Sequence, residues 1–74
     1  MESRIKSIIA TQLDIEEGVE SDGDLVDDYG ADSLDVVEIA LALEDEFGIN
    51  ISDEDVYKFQ TVGDIIRYVK ARSK

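Results

Sequence analysis

The sequence predicts an all-α fold, a small four-helix bundle of three main helices and a short third helix, with a long loop between the first and second. Apolar residues recur at helical spacing in separate stretches, capping residues open the later stretches, and a glycine closes one of them. Proline and low-complexity tracts are absent. The 74 residues suit a single domain, 1–74. A chain of this size buries only about 60% of the surface it exposes when unfolded, so one compact core is expected and a deep catalytic cleft is not. There is no cysteine, hence no disulfide or thiolate metal site, and helix packing must supply the stability.

Glu2 to Leu13 places Ile5, Ile8, Ile9 and Leu13 on one side of an amphipathic helix. From Asp14 to Asp32 the pattern breaks, with Gly18, Ser21, Asp22, Gly23 and Gly30 scattered among acids. Loops this long in compact domains are commonly functional. Ile15, Val19, Leu25, Val26 and Tyr29 are expected to pin it to the core, with a short helical turn near Leu25.

The second helix is expected from Leu34 to Phe47, capped by Asp32 or Ser33, with Asp35 favoured in the first turn by the helix dipole and Gly48 as the stop. Ser52 followed by Asp55 suggests a capping-box variant opening a short helix, Asp53 to Phe59. Thr61 and Asp64 repeat that arrangement before a last helix, Val62 to Ala71. Gly63 costs this helix roughly 1 kcal/mol relative to alanine. Burial of Val62, Ile65, Ile66 and Val69, at roughly 1.5–3 kcal/mol each, outweighs that cost.

Nineteen acidic and 7 basic residues, with no histidine, give a formal charge of -12. Arg4, Lys6, Lys58, Arg67, Lys70, Arg72 and Lys74 are the bases, and none lies between Ser7 and Tyr57. Such a chain repels nucleic acid and anionic membranes. Basic protein surfaces are its natural partners, because long-range attraction speeds encounter. No stretch approaches the roughly 20 apolar residues needed to cross a bilayer, and Glu2, Arg4 and Lys6 interrupt any targeting pattern. The cytoplasm is the expected location, or an organellar matrix if a leader was removed.

At about 100° per residue, Val36, Ile39, Ala40, Leu43 and Phe47 of the second helix share a core-facing stripe. Leu34, Val37 and Leu41 form another apolar strip on nearly the opposite side, flanked by Glu38, Glu44 and Asp45. A helix buried all round would account for both strips, but Glu38, Asp45 and Glu46 argue against that in so small a domain. The second strip reads as a docking surface whose acidic rim steers a partner.

Ser33 opens this helix after a flexible Gly30-Ala31, between Asp32 and Asp35. A catalytic serine needs a positioned base. The chain has no histidine, and its lysines are distant in sequence. Taken alone, Ser33 is an ordinary helix-capping serine.

The stretch Gly30-Ala31-Asp32-Ser33-Leu34-Asp35 closely resembles the attachment sequence of acyl carrier proteins. The resemblance extends through Val37-Glu38, Leu43-Glu44-Asp45-Glu46-Phe47, Ile51-Ser52-Asp53-Glu54 and Thr61-Val62. It implies that Ser33 takes a covalent 4'-phosphopantetheine from coenzyme A, through a phosphopantetheinyl transferase. It further implies that Asp32, Leu34, Asp35, Val37, Glu38, Leu41, Glu44 and Asp45 are read by that transferase and by acyl-processing enzymes, with Asp53 and Glu54 extending the acidic surface. Those enzymes would be the acyl transferases, ketoacyl synthases, reductases and dehydratases of fatty acid synthesis, docking through basic patches on a monomeric carrier that is not itself an enzyme. The acyl chain would shelter between the helices. Ser52 stands where proline is frequent in the family, and Tyr29 where leucine is common.

Alternatives in the same family are carriers of D-alanyl, peptidyl or polyketide cargo. From other classes come an acidic adaptor and a cation-binding module built on Asp22, Asp24, Asp27, Asp28 and Asp32. An EF-hand register starting at Asp22 places Ser33, not glutamate, at its twelfth position.

Overall fold

Four helices follow in the order α1 (Glu2–Leu13), α2 (Ser33–Phe47), α3 (Asp53–Val56) and α4 (Val62–Arg72). The structure, a computed structural model, describes residues 1–16 and 18–73; Glu17, within the expected loop, and Lys74 lie outside the described residues. Among the described residues there is no strand, only an isolated antiparallel bridge between Asp24 and Thr61.

The buried side chains form one cluster. Ile5 and Ile9 enter it from α1, Val36, Ile39, Ala40 and Leu43 from α2, Val56 from α3, and Val62, Ile65, Ile66 and Val69 from α4. α1 packs against both α2 and α4, while α3 packs against α2. No polar or charged side chain is buried among the described residues, so the core carries no desolvation cost of that kind.

Caps set the helix ends. Asp14, in left-handed conformation at φ 55°, closes α1, and Gly48 closes α2. Asp32 and Asp35 exchange hydrogen bonds at the start of α2: the Asp35 N–H donates to Asp32 Oδ1 at 3.0 Å, and the Asp32 N–H to Asp35 Oδ2 at 3.1 Å. Thr61 and Asp64 make the same reciprocal pair at α4, at 3.1 and 3.0 Å.

α3 is shorter than expected, ending at Val56 and not at Phe59. Only half of its capping box forms. The Asp55 N–H donates to Ser52 Oγ, but the Asp55 carboxylate turns away to accept from the Tyr68 hydroxyl. Beyond Val56 the chain tightens into turns in which Lys58 N–H donates to Asp55 O and Phe59 N–H to Val56 O. Phe59 thereby swings inward and meets the Tyr68 ring edge-on, 5.2 Å between centroids.

The α1–α2 loop is pinned partly as expected. Val19 and Leu25 are buried, and Ile15 and Tyr29 are half-buried. Val26 is not: it is 59% exposed. A helical turn does form near Leu25, closed by Asp28 N–H on Asp24 O and Gly30 N–H on Val26 O. Ala31, expected to be flexible, is buried and donates its N–H to Leu25 O at 2.8 Å.

Much of the pinning comes from backbone pairing with the α3–α4 connection. Leu25 N–H donates to Gln60 O, Val62 N–H to Gly23 O, and Gly63 N–H to Ser21 O at 2.7 Å. A Cβ at position 63 would lie 2.9 Å from that Ser21 oxygen, so the glycine that weakens α4 also permits the close approach. Gly23 sits under the Tyr29 ring, where a Cβ would come within 2.5 Å of Tyr29 Cε2. The Tyr29 hydroxyl, above, accepts from the Glu20 N–H at 2.9 Å. The loop's acids serve this turn: Asp24 Oδ1 accepts from the N–H groups of Val26 and Asp27, and Asp28 Oδ2 from that of Asp24.

Gly23→Ala should therefore destabilise the protein by about 1–3 kcal/mol, the usual cost of overpacking. Adding Tyr29→Leu should recover part of that loss, a non-additivity that urea denaturation of the single and double variants measures. The Thr61 and Gln60 N–H groups and the Arg67 guanidinium hold the Asp64 carboxyl below the usual carboxylate range, despite partial burial. A carboxyl lowered in this way stabilises the fold fully above its unfolded pKa and stops doing so as pH falls through the folded value. The stability gap between wild type and Asp64→Ala should accordingly be widest at neutral pH and close on acidification.

Candidate functional site

Ser33 is the first residue of α2 and is exposed. The capping box fixes it there. Asp32 holds an extended conformation at φ -104° and ψ -179°, and the chain turns helical at the next residue. Ser33 itself does not cap; Asp32 performs that task and leaves the serine hydroxyl uncommitted at the helix start. The N–H groups of Ser33 and Leu34, as the first two of the helix, have no intrahelical acceptor. Together with the dipole they favour an anion at this point.

Beside Ser33 lies a crevice of about 170 Å³, lined by Val26, Asp32, Ser33, Val36, Val56, Tyr57 and Phe59. The loop, α2 and the α3 region each contribute a wall. Most of the lining is apolar, and two of its apolar members, Val26 and Tyr57, are exposed, Tyr57 at 74%. Of the lining, the sequence pointed to Ser33 and Asp32 but gave Val26 and Tyr57 no place at the site. Their signal was faint: Val26 was counted among the loop's core anchors, and Tyr57 directly follows the buried Val56, off the apolar period of α3.

Along α2 the expected second strip is present at its ends. Leu34 is 64% and Leu41 58% exposed. Val37 differs: it is half-buried and packed against the core. At about 100° per residue it lies closer to the core stripe than Leu34 and Leu41 do. Asp45 is exposed, and Glu38 is exposed while accepting a hydrogen bond from Gln12 Nε2 of α1. Glu44 has a structural task, since its Oε2 accepts from the Ile51 N–H at 2.7 Å and ties the α2–α3 connection to α2. Asp53 and Glu54 are exposed on α3.

The charges divide the surface. Ion pairs join Arg4 to Glu46, Lys6 and Lys70 to Glu2, Lys58 and Arg72 to Asp55, and Arg67 to Asp64. Among the described residues none of these pairs involves Asp32, Asp35, Glu38, Asp45, Asp53 or Glu54. The acids around Ser33 and along the open side of α2 thus keep their charge unneutralised by the described bases, each of which pairs elsewhere. The arrangement offers a tether point, a small apolar shelter and an acidic face. Among the described residues no group of three or more His, Cys, Asp or Glu side chains is placed to hold a metal ion. No described helix is long and apolar enough to cross a membrane.

A model of the phosphopantetheine attachment site family matches residues 3–69. Among solved structures, the chain is similar to Rv0033 of Mycobacterium tuberculosis, assigned as an acyl carrier protein. The two are 38% identical over 95% of each chain, with a TM-score of 0.90. It is also similar to a chain in the structure of the ishigamide ketosynthase/chain length factor. That match has 34% identity over 95% of this chain and 89% of the other, with a TM-score of 0.77. With the family match and the structural likeness both spanning nearly all of it, the chain belongs to the phosphopantetheine-bearing acyl carrier proteins.

Proposed function

We propose that Ser33 carries the 4'-phosphopantetheine arm, and that the protein ferries growing acyl chains as thioesters among the enzymes of fatty acid biosynthesis. The observation that carries this reading is the placement of Ser33. Its hydroxyl is the exposed first residue of a capped helix, at the lip of an apolar crevice. The residues present suit the group. A phosphodiester on Ser33 would meet the free N–H groups at the start of α2, and the apolar walls would shelter what the arm bears. The arm supplies the thiol that this cysteine-free chain lacks.

The protein's own residues position and steer. Leu34 and Leu41 offer apolar contact on the open side of α2, and Asp35, Glu38 and Asp45 surround it with uncompensated charge. Asp53 and Glu54 continue that charge past the crevice. A basic patch on a transferase, ketoacyl synthase, reductase or dehydratase complements this face. The buried side of Val37 and the Ile51 bond of Glu44 leave these two residues a smaller share in docking.

A second reading is a polyketide carrier, favoured by the similarity to a chain in a ketosynthase/chain length factor structure. Acyl transfer from the loaded protein to a fatty-acid ketoacyl synthase, compared with transfer to a polyketide ketosynthase, separates the two.

Incubation with coenzyme A and a phosphopantetheinyl transferase should add one arm to the wild type and nothing to Ser33→Ala, read by intact-protein mass; arm addition to Ser33→Ala would refute the assignment. Asp45→Lys should lower the association rate with a partner enzyme severalfold at low salt while shifting stability by less than about 0.5 kcal/mol. Stopped-flow binding at two salt concentrations checks this, and an unchanged low-salt rate would remove Asp45 from the docking face.

A further inference from the structure

α3 has four residues, far below the length at which a helix sustains itself in water. Its position is therefore set by side chains. Val56 is buried and Ser52 caps the turn, but the polar tie across to α4 is made by Asp55. Asp55 Oδ2 accepts from the Tyr68 hydroxyl at 2.7 Å and lies 3.6 Å from Arg72 Nη2, while Oδ1 lies 3.8 Å from Lys58 Nζ. The Arg72 guanidinium also sits 3.9 Å from the centroid of the Tyr68 ring, the ring that Phe59 meets edge-on. Tyr68 and its neighbours hold the Asp55 carboxyl below the usual carboxylate range, against partial desolvation.

The segment tied down in this way is the one that lines the crevice. Val56, Tyr57 and Phe59 form its outer wall, opposite Val36 and beside Ser33. At about 170 Å³ the crevice takes only a short apolar segment, and a longer one needs more room between its walls. Of those walls α3 is the shortest helix, and Asp55 fastens it to α4.

The geometry points to Asp55 as a positioning residue for cargo: through Tyr68 and Arg72 it holds the α3 wall closed and so sets how long an acyl chain the protein shelters. This rests on the carrier reading above. Weakening the tie lets the wall yield, so longer chains gain shelter and short ones lose it.

The test uses Tyr68→Phe, which removes the hydroxyl and keeps the ring, with Asp55→Ala and Asp55→Asn alongside. Hydrogen exchange on the arm-free protein reads the wall directly. The amides of Val56, Tyr57 and Phe59, each hydrogen-bonded within the α3 region, should exchange about fivefold faster in Tyr68→Phe. Amides in the middle of α2 should not change. Asp55→Asn, which keeps an acceptor oxygen for Tyr68, should fall between wild type and Asp55→Ala.

The arm-bearing proteins are then loaded with acyl chains of graded length, and thioester cleavage by hydroxylamine is timed. The best-protected length should shift upward in Tyr68→Phe. Unchanged α3 exchange in Tyr68→Phe would overturn the latch, and faster exchange with an unaltered length profile would overturn its role in cargo selection. A wild type whose mass never rises on arm transfer would overturn the carrier reading itself, and that result is distinguishable because the exchange measurement does not need the arm.

Discussion

The exchange of hydrogen bonds between Asp32 and Asp35 sets where α2 begins, and most of the molecule's surface follows from that starting point. It makes Ser33 the first helical residue and leaves its hydroxyl free, because the aspartate beside it does the capping. Burial of the apolar stripe fixes the rotation of the helix. With α2 started there, Val36, Ile39, Ala40 and Leu43 point into the core, and Leu34 and Leu41 point out. The loop reinforces the same point from the other side, since buried Ala31 and its bond to Leu25 hold the chain immediately before the cap.

Charge is distributed unevenly, with the ion pairs concentrated away from the α2 face. Acids that lie near bases, such as Glu2, Glu46, Asp55 and Asp64, join helices or brace helix ends. Exposed pairs of this kind contribute little each. The remaining acids on the α2 face repel one another at some cost to the folded state, which an apolar core without buried polar side chains can bear. What results is an acidic face with a few exposed apolar side chains, electrostatically complementary to a basic surface.

The features carried by local pattern were legible in the sequence. The cap candidates Asp32 and Ser33 located the start of α2, Thr61 with Asp64 that of α4, and the apolar period separated the two faces of α2. Three features had no such pattern. Val37 lies on the border between the faces, where a count of positions cannot decide burial. Asp55 was readable as a cap partner, but its carboxylate is claimed by Tyr68, distant in sequence. The stitching of the loop to the α3–α4 connection runs through backbone groups of Ser21, Gly23 and Leu25, and long-range backbone pairing leaves no side-chain signature. The crevice beside Ser33 escaped for the same reason: its walls come from three separated segments. Likewise, the acids that suggested a cation loop are partly occupied, with Asp24 and Asp28 bonded to the loop's own N–H groups.

The proposed carrier role depends on which hydroxyl receives the arm. Fragmentation mass spectrometry of the transferase-treated protein distinguishes Ser33 from the other serines, Ser3, Ser7, Ser21, Ser52 and Ser73. All of the added mass should map to the fragment that holds Ser33. Mass found on any other serine, or on none, would contradict a carrier built around the start of α2.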